Sequence, residues 1–133
     1  AGASTFFLPF NKGHNNGEGN PPNPNGHKTS YLWEEVFQPV SLAGIIQHFV
    51  LLEGKVSDPL AKKSLIFPRY QQLDVVRRLL EHTSTNGVGH SYLIQHSAGS
   101  GKSNSITWAA YQLIEAYPKS TSIPGALGAL PEN

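Results

Sequence analysis

Cysteine and methionine are both absent from this chain of 133 residues. Without cysteine the chain holds no disulfide framework, zinc ribbon or thiolate nucleophile, and it is compatible with a reducing compartment. Its apolar runs, such as residues 49–52, are far shorter than the roughly 18 residues that a membrane span needs. No basic and apolar signal peptide opens the sequence. Because the chain begins with Ala1 and not with methionine, we expect it to be a piece of a longer parent protein.

Charge is sparse and almost balanced. Ten Lys and Arg face nine Asp and Glu, so the net charge is +1, and charged residues make up 14% of the chain, against roughly 25% in an average soluble domain. Broad electrostatic attraction to nucleic acid is therefore excluded, and any DNA contact must be local. The hydrophobic fraction of 38% is enough for one core, but two full domains do not fit in this length.

A polar segment near the start is dominated by turn-forming residues. Between Pro9 and Gly26, 14 of 18 residues are Asn, Gly or Pro, which excludes a helix and a central strand. Composition leaves two interpretations open: a flexible linker, or an ordered surface loop in which Asn and Gly adopt left-handed backbone. The apolar residues that would pin both ends of such a loop to a core are Phe6, Phe7, Leu8, Phe10, Tyr31, Leu32 and Trp33.

Two segments carry apolar residues at the three-and-four spacing of an amphipathic helix. The first follows Ser41, whose hydroxyl suits an N-cap, and we expect Gly54 to end it. The second starts near Tyr70 and gives way to a turn-rich loop from Thr83 to Gly89. The residues of the two apolar faces are Leu42, Ile45, Ile46, Phe49 and Leu52, and then Tyr70, Leu73, Val76, Leu79 and Leu80.

A different pattern begins at Ser91. The apolar run of residues 92–94 suits a buried strand, and residues 97–101 form a small, Gly-rich loop. A helix is predicted from Lys102, and Pro118 stops it. The order of helix, strand, Gly-rich loop and helix is the opening of an α/β unit, although no third strand can be named. The apolar face of the last helix comprises Ile106, Ala109, Ala110, Leu113, Ile114 and Tyr117.

The Gly-rich loop predicts phosphate binding, because a turn between a strand and a helix aims backbone N–H groups at phosphate oxygens. In this pattern the ammonium of Lys102 reaches the β- and γ-phosphates, and the hydroxyl of Ser103 binds Mg²⁺. His96 stands where the full pattern has Gly, whereas the residues nearest phosphate and metal are as required. The competing interpretation is an ordinary turn with a surface lysine. The whole segment is His96-Ser97-Ala98-Gly99-Ser100-Gly101-Lys102-Ser103.

Three other candidates are weaker. Residues 53–55, Glu-Gly-Lys, match half of a metal-dependent nuclease site, but no Asp precedes them, so we interpret them as a helix C-terminus. For the arginines at positions 69, 77 and 78 a solvated helix face is favoured over a DNA contact. The six histidines lack the spacing of a helical metal site; they are His14, His27, His48, His82, His90 and His96.

Several strings resemble the restriction (R) subunit of type I restriction-modification enzymes, from about residue 6 to residue 117. Residues 7–17, 19–23 and 31–36 are similar to the segment that joins nuclease to motor in that subunit. Residues 66–74, Ile-Phe-Pro-Arg-Tyr-Gln-Gln-Leu-Asp, resemble its adenine-reading glutamine motif, and residues 92–103 resemble its Walker A loop. The phosphate loop alone fits many helicases, whereas the long Asn/Gly/Pro string is specific to this subunit.

The resemblance implies an α/β fold in which residues 61–133 are the N-terminal part of the first RecA-like domain of a superfamily 2 motor. Residues 1–60 would be a loop-rich, partly helical connector between nuclease and motor. The implied parent is a cytoplasmic, ATP-dependent DNA translocase and site-specific endonuclease. Its partners would be double-stranded DNA and the methyltransferase (M) and specificity (S) subunits, with no membrane, and its cofactors would be ATP and Mg²⁺.

The resemblance also implies roles for individual residues. Lys102 would be the catalytic residue, and Gln72 would read adenine, with Gln71 as the alternative if the register shifts by one. ATP would be held by Gln72 and by Ser97, Ala98, Gly99, Ser100, Gly101, Lys102 and Ser103, and Ser103 would also bind the metal.

The acidic residues that complete these sites in the resembling family are missing here. Its nuclease carboxylates precede this segment and its Walker B carboxylates follow it, and the stretch from Asn104 to Asn133 holds only Glu115 and Glu132. We therefore expect the 133 residues alone to be inactive. Two alternatives stay open: an incomplete structural connector that folds only against the rest of its subunit, and another superfamily 2 DNA helicase.

Overall fold

The computed structural model describes residues 9–96 and 99–116 of the chain. Within these ranges it contains three α-helices, one two-stranded hairpin and two short helical turns. In chain order they are a π-helical turn at Leu32–Val36, α1 at Pro39–His48, β1 at Leu51–Glu53, a 3₁₀ turn at Leu60–Lys62, β2 at Ser64–Ile66, α2 at Tyr70–Asn86 and α3 at Lys102–Ala116. No helix in the described ranges is both long and apolar enough to cross a membrane. The predicted features outside them are the anchors Phe6, Phe7 and Leu8, the loop residues Ser97 and Ala98, the helix end at Tyr117 and Pro118, and residues 119–133.

α1 begins and ends earlier than its apolar spacing predicts. Pro39 occupies the first helical position, where its fixed φ suits the helix and its missing N–H costs no hydrogen bond. Ser41 therefore lies inside the first turn, and the prediction that it caps the helix is wrong. The helix ends at His48, so the expectation that it continues to Gly54 is also wrong.

The chain after α1 forms an antiparallel hairpin instead of a longer helix. Leu51 of β1 pairs with Ile66 of β2, and this cross-strand pairing replaces the helical bonds that the apolar spacing alone suggested. Gly54 follows β1 with a φ of +149°, and a side chain there would meet Lys63 across the hairpin. The interpretation of residues 53–55 as a helix C-terminus is therefore wrong.

α2 forms where the sequence predicts it and buries Leu73 in the core. It continues to Asn86, so the loop expected from Thr83 starts one turn too early. The reason is local: the hydroxyl of Thr83 donates to the Leu79 carbonyl one turn back, at 2.7 Å, and so sits comfortably inside the helix. Gly87, at a φ of +78°, ends it.

α3 starts at Lys102 as predicted, but it buries a different face. Trp108 and Ala109 lie in the core, whereas Ile106 and Ile114 are 66% and 69% exposed. Of the predicted apolar face, Ala109 is buried and Leu113 is half-buried; the prediction is wrong at Ile106, Ala110 and Ile114, which are exposed, and Tyr117 lies outside the described residues. Spacing identifies apolar stripes on α3, but the packing of α2 against α3 decides which stripe is buried. The stripe of Ile106 and Ile114 is not covered by any described residue.

The apolar run at residues 92–94 is not a strand in the structure, so this prediction is wrong. Leu93 is 94% exposed. A strand exists only when a neighbouring strand accepts and donates its backbone hydrogen bonds, and the described residues place none beside this segment. The α/β character of the fold stays a prediction, because the described sheet is the β1–β2 hairpin alone.

One core joins the connector region to the predicted motor region. Phe49, just after α1, packs on Trp108 of α3 with ring centroids 5.7 Å apart. The Arg77 guanidinium of α2 donates to the Ser41 hydroxyl of α1 at 2.9 Å. The domain boundary predicted at residue 60 stays a prediction, and the shared core shows that the two sides are packed together. The core residues are Tyr31, Val36, Ile45, Phe49, Leu73, Val76, Trp108 and Ala109.

Two adjacent isoleucines of α1 test this core. Ile45 is 0% exposed and Ile46 is 60% exposed. We expect Ile45→Ala to lower the free energy of unfolding by about 2–5 kcal/mol, because it removes buried methyl groups and leaves a cavity. Ile46→Ala is the matched control and should change it by only about 0.5 kcal/mol. Urea denaturation of the chain measures both; equal losses would contradict the buried face of α1.

Candidate nucleotide-binding site

Two glycines in left-handed conformation turn the chain into α3. Gly99 has a φ of +72° and Gly101 a φ of +78°, a region that residues with a Cβ adopt only at a cost. The carbonyl of Gly101 accepts hydrogen bonds from the backbone N–H groups of Asn104 and Ser105, at 3.1 and 3.3 Å, and so starts the helix. The predicted Gly-rich turn ahead of a helix is confirmed at these positions.

Gln72 holds that turn against the start of α2. Its Nε2 donates to the Gly101 carbonyl at 2.9 Å, and its Oε1 accepts from the Arg69 backbone N–H at 2.8 Å. The residue is only 5% exposed. Both ends of its amide are therefore occupied within the protein, in a clamp that sequence reasoning missed.

Lys102 lies in the first turn of α3 and reaches back across the loop. Its ammonium donates to the His96 carbonyl at 3.0 Å, and the side chain is exposed. The positive charge thus spans the mouth of the Gly-rich turn, where an anion would compete for it with a neutral carbonyl. Charge-assisted bonds to phosphate oxygens are the stronger of the two. Ser97 and Ala98, also predicted to bind the nucleotide, lie outside the described residues.

Ser103 is exposed in the first turn of α3, where the sequence predicts a metal ligand. The described residues contain no group of three His, Asp or Glu side chains able to hold a metal ion. A hydroxyl next to a phosphate site still fits Mg²⁺, since this ion takes few protein ligands and keeps water and phosphate oxygens. Ser103 would then supply one ligand of several.

A cleft of about 810 Å³ lies between the Gly-rich turn and the Asn/Gly/Pro segment. This is a size typical of sites for small molecules. Gln71 lines it, whereas Gln72 does not, and Gln71 Nε2 donates to the Asn11 carbonyl at 3.3 Å. One wall consists of Pro9 and residues 11–18, and the other of Arg69, Gln71, Gln95, His96 and Ser100.

Two polar atoms on the second wall are buried without a hydrogen bond. Neither His96 Nδ1 nor Ser100 Oγ has a partner among the described residues. A buried polar atom left unpaired costs on the order of 1–3 kcal/mol. A polar ligand in the cleft would supply what these atoms lack.

The predicted alternative sites are not assembled as sites. Arg78 pairs with Asp74 at 3.0 Å, and this contact raises the pKa of its guanidinium. Burial lowers the pKa of Arg77, which is bonded to Ser41. His82 meets His90 and Tyr92 in a small ring cluster at the surface, but no metal-binding group arises from it in the described ranges.

Comparison of the chain with protein-family models, with curated proteins and with solved structures finds no match in any of the three. The interpretation of the cleft therefore depends on its own geometry and on the motif residues His96 and Ser100 that line it.

The clamp between Gln72 and Gly101 makes a matched pair of glycines testable. A Cβ at Gly101 would overlap the Gln72 amide nitrogen, whereas at Gly99 it would meet nothing within 4 Å among the described residues. Gly99→Ala should lower the free energy of unfolding by the backbone cost alone, about 1–2 kcal/mol. Gly101→Ala should lose a further 1–3 kcal/mol, roughly the penalty of overpacking.

Urea denaturation of both variants measures this difference, and adding Gln72→Ala to Gly101→Ala should recover part of the extra loss. If the two glycine variants lost the same amount, the close approach of Gln72 to the turn would be wrong.

Proposed function

We propose that the chain contributes the ATP-phosphate-binding loop of an ATP-dependent DNA translocase and endonuclease subunit of a type I restriction system. The observation that carries the proposal is the turn of Gly99 and Gly101 into α3, with the Lys102 ammonium across its mouth. Ser100 of this turn lines a cleft of about 810 Å³, a size typical of sites for small molecules. The type I assignment itself rests on the resemblance of residues 7–17, 19–23 and 31–36 to that subunit.

The groups present suit a triphosphate in a definite order. The N-terminus of α3 directs backbone N–H groups and the positive end of the helix dipole toward an anion. Lys102 adds a full charge that meets the γ-phosphate as negative charge develops during transfer. Ser103 would share the Mg²⁺ with the phosphates. ATP, when bound, supplies the phosphoanhydride whose hydrolysis drives translocation.

Hydrolysis requires groups beyond this loop. A motor site of the RecA-like class needs an acidic strand end to hold Mg²⁺ and to position water, and the described residues contain no group of three His, Asp or Glu side chains able to hold a metal ion. We infer that the loop works within a complete subunit in the cytoplasm, acting on double-stranded DNA with the M and S subunits.

A structural role is the second candidate function. The core that joins residues on both sides of position 60 and the exposed stripe of Ile106 and Ile114 favour a module that packs against further protein. The two functions differ in what they require of Lys102: only the first needs its charge.

Lys102→Ala tests the proposed function in the complete protein. We expect DNA-stimulated ATP hydrolysis to fall below about one tenth of the wild-type rate, because a charge contact in the transition state is lost. Lys62→Ala is the control and should keep the wild-type rate, because Lys62 lies in the exposed 3₁₀ turn before α2 and not in the Gly-rich turn. A Lys102→Ala protein that retained most of its ATPase activity would overturn the assignment and favour the connector.

The two neighbouring glutamines test which of them faces the base. Gln72 was the first choice from sequence, but both ends of its amide are bonded within the protein. Gln71, the alternative, lines the cleft and uses only its Nε2 in a bond of 3.3 Å, so the geometry favours it. Gln71→Ala should weaken the binding of ATP more than the binding of GTP, because it removes a hydrogen bond to the base that contributes about 1–3 kcal/mol. Gln72→Ala should weaken both nucleotides equally, since it loosens the phosphate turn. Equilibrium titration with each nucleotide measures this, and selective loss of ATP in Gln72→Ala would reverse the two roles.

A further inference from the structure

The Asn/Gly/Pro segment folds into a hairpin loop, defined here as residues 11–20. His14 and Gly17 exchange two backbone hydrogen bonds of 3.1 and 2.9 Å. The two residues between them, Asn15 and Asn16, have φ of +49° and +60°, which is the signature of a tight two-residue turn with both central residues left-handed. Composition alone left two interpretations of this segment, a flexible linker and an ordered surface loop. The ordered turn at residues 14–17 favours the second.

The base of the hairpin loop is braced by side-chain amides. Asn20 Oδ1 accepts from the Lys12 backbone N–H at 2.9 Å, and Asn20 Nδ2 donates to Asn11 Oδ1 at 3.1 Å. Asn15 and Asn16, at the tip, make no side-chain hydrogen bond to any described residue. Both residues line the cleft. Asn11 and Asn20 therefore stabilise the base of the loop, whereas Asn15 and Asn16 lie at the cleft.

The hairpin loop is fixed to the same helix end that holds the phosphate turn. Phe10, directly before it, packs edge-on against Tyr70 with centroids 5.7 Å apart, and its carbonyl accepts a bond from the Tyr31 hydroxyl. Gln71 holds the Asn11 carbonyl. The two walls of the cleft are consequently held at a set distance through the first turn of α2.

The charges of the cleft differ between its walls. The turn side carries the Arg69 guanidinium in the cleft lining, and the Lys102 ammonium lies next to that lining, bonded to the carbonyl of the cleft residue His96. On the hairpin side Lys12 is paired with Glu35 at 3.4 Å, and Glu18 adds a negative charge at the cleft. This side therefore has no net positive charge to attract phosphate, and it offers neutral amides. An Asn amide donates and accepts at once, which matches the edge of a purine base.

We propose that the hairpin loop is the base-binding wall of the nucleotide cleft, and that the amides of Asn15 and Asn16 recognise the purine. This inference rests on the proposed function, since it needs a nucleotide whose phosphates lie at the turn of Gly99 to Lys102. It assigns to the connector region a direct part in nucleotide binding, alongside Gln71 on the opposite wall.

The test removes the amides while keeping the turn. Glycine adopts positive φ more readily than asparagine, so the double substitution Asn15→Gly and Asn16→Gly preserves the hairpin backbone. Calorimetric titration of the complete protein with Mg·ATP and, separately, with inorganic tripolyphosphate gives the two affinities. We expect the double variant to bind Mg·ATP about tenfold or more weakly, as expected when specific base contacts are lost, and to bind tripolyphosphate as the wild type does.

Two controls separate the failure of this inference from the failure of the proposed function. Asn25→Gly, in the same Asn/Gly/Pro segment but away from the cleft, should change neither affinity. Lys102→Ala should weaken both ligands, because both engage the phosphate turn. If Lys102→Ala acts so and the double glycine variant matches wild type, or weakens both ligands equally, the base-binding wall is wrong and the phosphate site stands. If Lys102→Ala changes neither affinity, the proposed function itself fails.

Discussion

The amide of Gln72 is the contact on which the geometry of the candidate site depends. It joins the backbone of Arg69, where α2 begins, to the carbonyl of Gly101, where α3 begins. A buried amide with both ends bonded is favourable, whereas one left half-bonded costs on the order of 1–3 kcal/mol. Displacing the Gly-rich turn therefore means breaking this clamp, so the turn is held against α2 even though no strand leads directly into it in the described ranges.

The hairpin loop is held by the same end of α2. Tyr70 and Gln71 hold Phe10 and the Asn11 carbonyl, one residue away from the glutamine that holds Gly101. Three consecutive residues of α2 thus fix both walls of the cleft. The width of the cleft is set by one turn of one helix rather than by the packing of two domains, which explains how so loop-rich a chain presents a defined site.

Sequence reasoning succeeded where the signal is local. The glycine turn into α3 and the start of α2 follow from residues within a few positions of one another, and both were predicted. The end of α1 was missed because Leu51 pairs with Ile66 across the hairpin. The clamp of Gln72 was missed because its partner lies 29 positions away.

The same limit applies to the cleft and to the strand. The contact between Gln71 and Asn11 spans 60 positions, so composition marked the asparagine-rich segment without showing what it faces. The run at residues 92–94 was predicted as a strand from its apolar character. Apolar character indicates burial only where a partner exists, and Leu93 has none among the described residues.

The unpaired polar atoms of the cleft give a reason why ligand binding would stabilise the folded turn. His96 precedes the Gly-rich turn and Ser100 belongs to it. His96 Nδ1 and Ser100 Oγ each lack a partner among the described residues. A ligand that bonds to them removes a penalty present in the free protein, so its binding energy also stabilises the folded turn. Under the proposed function, the nucleotide would link α2, α3 and the hairpin loop at one place. The exposed stripe of Ile106 and Ile114 lies on α3 itself, so a helix whose start is held by nucleotide would present that stripe in a fixed orientation to whatever packs on it.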